Sequence, residues 1–353
     1  MSSYLIPVLE TMRRIIQHSV RQKEKGKIQK EEKLSSKFSS TTQPFYHFVI
    51  LDASLCIDAM SKQQAFTNSV TIADVIAKAA SVLRAAGVPE ARREAGTLLA
   101  HVIARDRTFL ITHADELVGP AELTWFHRLI ARRAAGEPVQ YIIGHQAFYG
   151  FDFEVTPDVL IPRPETELLV ETSLRLLGEN ESPLICDVGT GTGCISVALL
   201  HERADARAVA LDISPAALRV AARNAARHGV SKRLTLLESD CFAALDVGVE
   251  RFTIIVSNPP YVAESDLTEL HREVRDHEPR VALTPGGDGL GVIRRLLVDA
   301  PQFLAPGNHF VFEIGFNQHA AVAEMIDPRV WTLLDMHKDL QGIPRIVALK
   351  RQT

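Results

Sequence analysis

The stretch "LICDVGTGTGCISVALLHER" constrains this chain more than any other. A short apolar run with β character meets glycines at three alternate positions and passes at once into a helical pattern. A strand that turns directly into a helix in this way belongs to a sheet built from β–α units. The alternation continues downstream. "AVALDI" reads as a strand and "SPAALRVAARNAARHG" as the helix after it. "RLTLLES" and "RFTIIV" are further strands, "DGLGVIRRLLVDAPQFL" is a helix, and "HFVFEI" a strand. "WTLLDMHKDLQGIPRIVALK" reads as an antiparallel hairpin. The pattern predicts an α/β fold with a mostly parallel sheet covered on both faces, and ligands at the carboxyl ends of its strands.

Two stretches sit where such ligands bind. In the first, Gly189, Gly191 and Gly193 allow tight dihedrals and let a ligand touch the backbone. The next strand ends on Asp212, nineteen residues after Gly193, where a carboxylate can accept both hydroxyls of a ribose. The G-x-G-x-G spacing lacks the last glycine of the NAD fingerprint, and the loop carries no lysine for a phosphate. It resembles motif I of the class I S-adenosylmethionine-dependent methyltransferases. That resemblance implies S-adenosyl-L-methionine as cofactor, held by the loop Gly189, Thr190, Gly191, Thr192 and Gly193. Asp212 would hold the ribose, with Asp240, at the end of the third strand, at the adenine edge.

The second stretch is "VSNPPYV", where the strand "RFTIIV" stops on Asn258-Pro259-Pro260-Tyr261. A planar amide or aromatic amine nitrogen is a poor nucleophile because its lone pair is delocalised, and it carries two N–H donors. Two acceptors aimed at those donors position the nitrogen and favour its loss of planarity. The Asn258 side-chain oxygen supplies one acceptor and the Pro259 carbonyl the other, with two prolines restricting the backbone that holds it. Tyr261 offers a flat face for packing. The chemistry expected is positioning and preorganised electrostatics, with no strong base in the motif.

The remaining chain has a different composition. Residues 1–66 are polar, charged and Ser-rich over "RQKEKGKIQKEEKLSSKFSSTTQ" and cannot bury a core. They read as a disordered or mis-annotated extension with Met60 as a candidate start; "EKGKIQKEEK" is too acidic for an Arg-rich transit peptide. Residues 67–137 have helical periodicity and read as a small bundle. Its His101, His113 and His127 are scattered, and no metal site is expected. Residues 138–158 change to an alternating pattern and read as a β-hairpin linker, followed by the α/β domain over 159–353. Cys56, Cys186, Cys194 and Cys241 lack paired spacing, as in a reducing cytoplasm. Net charge is +3 over 1–60, +2 over 61–137 and −9 over 138–353. An acidic catalytic part argues against direct binding of a phosphate backbone, and no apolar run is long enough to span a membrane.

With both sites in view, further stretches resemble one family. NPPY occurs in enzymes that methylate amino groups of adenine or cytosine and in protein-glutamine methyltransferases. "GEPVQYIIGHQAFYGFDFEVTPDVLIPRPETELLVE" and "LTPGGDGLGVIRRLL" are similar to the release-factor glutamine methyltransferases, called PrmC or HemK. The resemblance covers Val70 to Lys350. It implies a class I methyltransferase fold: a Rossmann-like, seven-stranded, mostly parallel sheet with an antiparallel C-terminal hairpin, plus an N-terminal helical docking domain. It implies methyl transfer to the glutamine amide of the Gly-Gly-Gln loop of class I peptide-chain release factors, held by Asn258, Pro259, Pro260 and Tyr261. The alternative is an N6-adenine or N4-cytosine methyltransferase acting on nucleic acid. The family usually carries an aromatic residue where Cys241 stands, so either Cys241 or Phe242 is expected near the adenine. "IPRPETE" is expected near the active site, with no catalytic role assigned to Arg163, Glu165 or Glu167.

Overall fold

The computed structural model describes residues 70–248 and 252–352. The extension expected over 1–66 lies outside them. The described chain opens with four helices, α1 (Ile72–Ala85), α2 (Ala91–Ile103), α3 (Arg107–Thr112) and α4 (Pro120–Ala134). α1, α3 and α4 begin where a local acceptor or a proline satisfies the first turn. The Thr71 hydroxyl accepts from the Asp74 amide and Asp106 from the Phe109 amide, while Pro120 starts α4. Their apolar stripes meet at Leu83, Leu98, Leu99 and Phe126, all 0% exposed. Pro89 precedes α2 rather than opening it. The Val88 amide still bonds back to Leu83, so the exit from α1 is not complete until the chain reaches Pro89.

The expected hairpin is shorter than its sequence pattern. Val139–Ile143 forms a short helix, α5, ended by Gly144 in the left-handed region at φ 84°. Its side chains divide by helical position: Ile142 enters the helical core, while Tyr141 packs with Val155, Val159 and Val220. Only β1 (His145–Phe148) and β2 (Phe151–Glu154) pair, antiparallel, with Phe148 opposite Phe151. A 3-10 turn over Pro164–Thr166 then leads into α6 (Glu167–Leu177).

The second half contains β3 (Leu184–Val188), α7 (Cys194–Glu202), β4 (Arg207–Asp212), α8 (Pro215–Arg227), β5 (Leu234–Glu238) and β6 (Phe252–Ser257). After two short helices, α9 (Arg272–His277) and α10 (Arg280–Leu283), come α11 (Gly291–Asp299), β7 (Leu304–Glu313), α12 (His319–Met325), β8 (Trp331–Lys338) and β9 (Pro344–Arg351). The strand order is β5-β4-β3-β6-β7-β9-β8. The first five strands of that order are parallel; β9 runs antiparallel to both β7 and β8. Alternation along each strand sends side chains to opposite layers. Ile185 and Val311 meet α6 and α7, whereas Cys186, Phe310 and Phe312 meet α11 and α12. Both faces are covered, which is why these strands read as near-continuous apolar runs.

Arg133 on α4 ties the helical part to the rest of the fold. It is 4% exposed and pairs with Glu94 on α2 and, at 2.6 Å, with Glu273 on α9. An ion buried this far is tolerable only while paired. Replacing Arg133 by Met is expected to cost about 3 kcal/mol in urea-induced unfolding, because Glu94 would keep a shielded charge without its partner. Adding Glu94→Gln is expected to recover part of that loss; equal stability of wild type and the single variant would contradict this account.

Candidate active site

The chain order reverses between β3 and β6. From β3 it proceeds to β4 and β5 on one side, then returns to β6 on the other. Loops leaving β3 and β6 therefore diverge and open a crevice between them. Val188 pairs with Ser257 at the carboxyl ends of these strands, and the Ser257 hydroxyl donates to the Val188 carbonyl at 2.7 Å. The glycine loop and the Asn-Pro-Pro segment thus line one cleft, of about 360 Å³.

The glycine loop is held from both sides. Amides of Gly189 and Thr190 donate to the Leu211 carbonyl. Asp212 accepts from the Gly191 amide at 2.8 Å with one carboxylate oxygen and from the Ser214 amide at 2.9 Å with the other. The acid expected to meet a ribose therefore also braces the loop, and each oxygen has a further lone pair for a ligand. Burial pushes its carboxyl up, opposed by the two amides. Gly193 is required for space as well as for its φ of 79°: a Cβ there would stand 3.2 Å from the Ala221 side chain on α8. Beneath the loop, Asp187 accepts from the hydroxyls of Thr190 and Ser196, each at 2.7 Å. Its other oxygen is buried without a hydrogen-bond partner, and burial pushes the carboxyl up to about 6.

The cleft lining includes Gly189, Thr190, Thr192, Asp212, Asp240, Cys241, Asn258, Pro259 and Pro260 from the expected set. Gly191, Gly193 and Tyr261 are not part of the lining. Cys241, not Phe242, reaches the lining; Phe242 is turned into the core and stacks on Phe303 with centroids 4.9 Å apart. Cys241 adopts φ 51°, a left-handed residue that sends the next side chain inward. The apolar wall beside Asp212 comes instead from Ile213, half exposed and part of the lining. Asp240 lines the cleft while its carboxylate is paired with Arg295 at 2.9 Å.

A small network behind Asn258 was not evident in the sequence. Glu313, at the end of β7, is 1% exposed and accepts from Thr166 at 2.7 Å and from the Tyr261 hydroxyl at 3.1 Å. Asn258 donates its Nδ2 to the Thr166 hydroxyl at 3.1 Å. Burial pushes the Glu313 carboxyl up, opposed by these two hydroxyls. The available signals were Thr166 inside "IPRPETE" and a lone acid ending the apolar run "FVFE". Arg163 and Glu278, paired at 2.5 Å, join the same turn to the segment that covers the cleft. The Gly-rich segment after Pro285 approaches so closely that a Cβ on Gly289 would stand 2.3 Å from the Tyr261 carbonyl.

The charged residues of the lining are Asp158, Asp212, Asp240 and Arg163, and the arginine is already paired. Asp240 is likewise paired with Arg295, which leaves Asp158 and Asp212 to suit a cationic ligand and repel a pyrophosphate. A seven-stranded sheet of this order, a glycine loop with its acid, and an acid-lined cleft ending in Asn-Pro-Pro-Tyr define a class I methyltransferase. Comparisons with known proteins agree. The PrmC N-terminal domain matches residues 74–144 and the methyltransferase small domain residues 164–312. The release factor glutamine methyltransferase of Cereibacter sphaeroides is 44% identical over 79% of this chain and 98% of its own. That of Burkholderia pseudomallei is 46% identical over 76% and 94%. A solved protein-(glutamine-N5) methyltransferase from Alicyclobacillus acidocaldarius is 31% identical over 57% of this chain and 100% of its own, with a TM-score of 0.35. The chain belongs to the release factor glutamine methyltransferase family. No group of three or more His, Cys, Asp or Glu among the described residues could hold a metal ion, and no described helix is long and apolar enough to cross a membrane.

The raised Asp187 carboxyl has a consequence for stability. Its folded value of about 6 lies above its ordinary 3.8. Its contribution is therefore fully present below the ordinary value and is lost as pH rises through about 6. The stability difference between wild type and Asp187→Asn is expected to shift by roughly 2–3 kcal/mol against wild type between acid and neutral pH. Parallel stability curves, measured by denaturant unfolding across pH, would refute the raised value.

Proposed function

We propose that this chain methylates the side-chain amide nitrogen (N5) of the glutamine in the Gly-Gly-Gln loop of class I peptide-chain release factors, using S-adenosyl-L-methionine. Family membership supports the substrate, and the single observation that carries the chemistry is the Asn258 amide held with its nitrogen toward Thr166. That leaves the Asn258 Oδ1 for the cleft. The bound cofactor supplies an electrophilic methyl on a sulfonium sulfur. The backbone of Gly189 to Gly193, with Thr190 and Thr192, forms its loop. Asp212 would receive the ribose hydroxyls, Ile213 and Cys241 would pack on the adenine, and Asp240 would stand at its edge.

Asn258 Oδ1 and the Pro259 carbonyl accept the two N–H donors of the glutamine amide and set its lone pair toward the methyl group. Pro260 stiffens the turn, and Tyr261 backs it. Methyl transfer would form the N–C bond as the carbon–sulfur bond breaks, and the proton shed by the nitrogen would pass to solvent water. The residues contribute by positioning and fixed dipoles, which are strongest where charge develops in a site closed to water. Residues 67–137 are a docking domain for the protein substrate, residues 138–158 the linker, and residues 159–353 the catalytic domain, acting in the cytoplasm.

The test uses labelled S-adenosylmethionine with a class I release factor, its loop Gln→Ala variant, and DNA. Label on the wild-type factor alone is expected; label on DNA would establish the nucleic-acid alternative. Asn258→Ala is expected to lower turnover about 100-fold or more while cofactor affinity stays within a few fold. The acidic catalytic part would attract a release factor that is basic where it meets ribosomal RNA. Association is then expected to weaken steeply with salt, and salt-independent binding would exclude this steering.

A further inference from the structure

We propose that Glu313, acting through Thr166, is the positioning residue that decides which end of the Asn258 amide faces the substrate. The inference rests on the methyl-transfer reading above and deepens it. The logic is one of donors and acceptors. Glu313 accepts from both hydroxyls it meets, so the single Thr166 hydroxyl proton, 2.7 Å from Glu313, points at Glu313. The hydroxyl then has only lone pairs left for its other neighbour, 3.1 Å away on Asn258. That neighbour must donate, so the Asn258 nitrogen faces Thr166 and its oxygen faces the cleft. The inverted amide would set two N–H donors against the N–H donors of the substrate. An asparagine side chain is nearly symmetric in shape, so packing alone cannot choose between the two orientations; an acceptor two hydrogen bonds away along the network can.

Glu313 makes a second commitment on the other side. Its remaining oxygen accepts the Tyr261 hydroxyl at 3.1 Å, which directs that hydroxyl away from the cleft. The backbone after the tyrosine is held separately, by the Gln318 side-chain amide donating to the Tyr261 carbonyl at 2.8 Å. One buried carboxylate therefore orients both polar side chains of the Asn-Pro-Pro-Tyr segment. Neither Glu313 nor Thr166 lies in that segment: they come from the end of β7 and from the turn before α6.

The decisive variants are Thr166→Val, which keeps the shape and removes the hydroxyl, and Thr166→Ser, which restores it. With the full chain, S-adenosylmethionine and a class I release factor, Thr166→Val is expected to lower kcat about tenfold or more. Cofactor affinity by calorimetry is expected to stay near wild type while the melting temperature falls, because buried Glu313 loses a donor; Thr166→Ser is expected to restore stability and to return kcat to within about twofold. Glu313→Gln removes the demand that Thr166 donate, so it is expected to lower kcat, and combining it with Thr166→Val is expected to add little, since the two act as one unit. The Asn258 side-chain amide gives a readout that needs no substrate. Its hydrogen exchange, followed by NMR, is expected to be slow in wild type and Thr166→Ser and fast in Thr166→Val. Unchanged kcat and exchange in Thr166→Val, or fully additive losses in the double variant, would overturn the assignment. Absence of label on the release factor with the wild-type enzyme would instead sink the function reading; the exchange measurement would still decide the orientation.

Discussion

Everything in the site depends on the parallel pairing of β3 with β6. These strands are far apart in sequence, yet Val188 and Ser257 pair at their carboxyl ends. The pairing is adjacent because the chain builds β4 and β5 on one side before crossing back. Two loops that would otherwise have no relation then share one cleft. One contributes bare backbone and an acid, which suit a nucleoside. The other contributes acceptors on a stiff turn, which suit a planar nitrogen. The crevice is a product of topology, and the residues give it a chemistry.

Buried and half-buried acids recur around the cleft, each held by donors of a defined kind. Asp212 is braced by two amides, Asp187 by two hydroxyls, Glu313 by a threonine and a tyrosine, and Glu278 by an arginine and the Ile161 amide. A buried carboxylate is costly unless it is satisfied. Each of these acids therefore imposes order on the donors around it. Asp187 is the least satisfied, with one oxygen lacking a partner, and it has the strongly raised carboxyl that such burial produces. Of the four, only Asp212 lines the cleft, and with Asp158 it leaves a negative lining that favours a sulfonium over a phosphate.

Polar cross-links connect the cleft to the helices at the start of the described chain. Arg133 joins α2 and α4 to α9, and Arg163 joins the turn before α6 to Glu278 just after α9. The segment carrying α9 and α10 supplies Pro279, Val281, Ala282 and Thr284 to the lining. The segment tied to the helical part by Arg133 is thus itself a wall of the site.

The alternating β and α periods, the glycine loop and the acid ending β4 were legible in the sequence because each is local: strand alternation, a turn needing positive φ, and a residue at a strand end. The Asn-Pro-Pro-Tyr stop was legible for the same reason. The short helix at Val139–Ile143 was not. Its five residues carry too little periodicity to separate a helical turn from a strand, and the burial of Tyr141 and Ile142 in two different cores settled the matter. Nor could the sequence say that Phe242 turns into the core while Cys241 reaches the cleft, since that follows from one left-handed residue. By itself the sequence determined the strands of the main sheet and their alternation with helices, the two motifs and the planar nitrogen as target. Only the tertiary structure decided how Asn258 is oriented, because Thr166 and Glu313 meet it through the packing of α6 against β7, and contacts between distant residues leave no periodic trace in a chain.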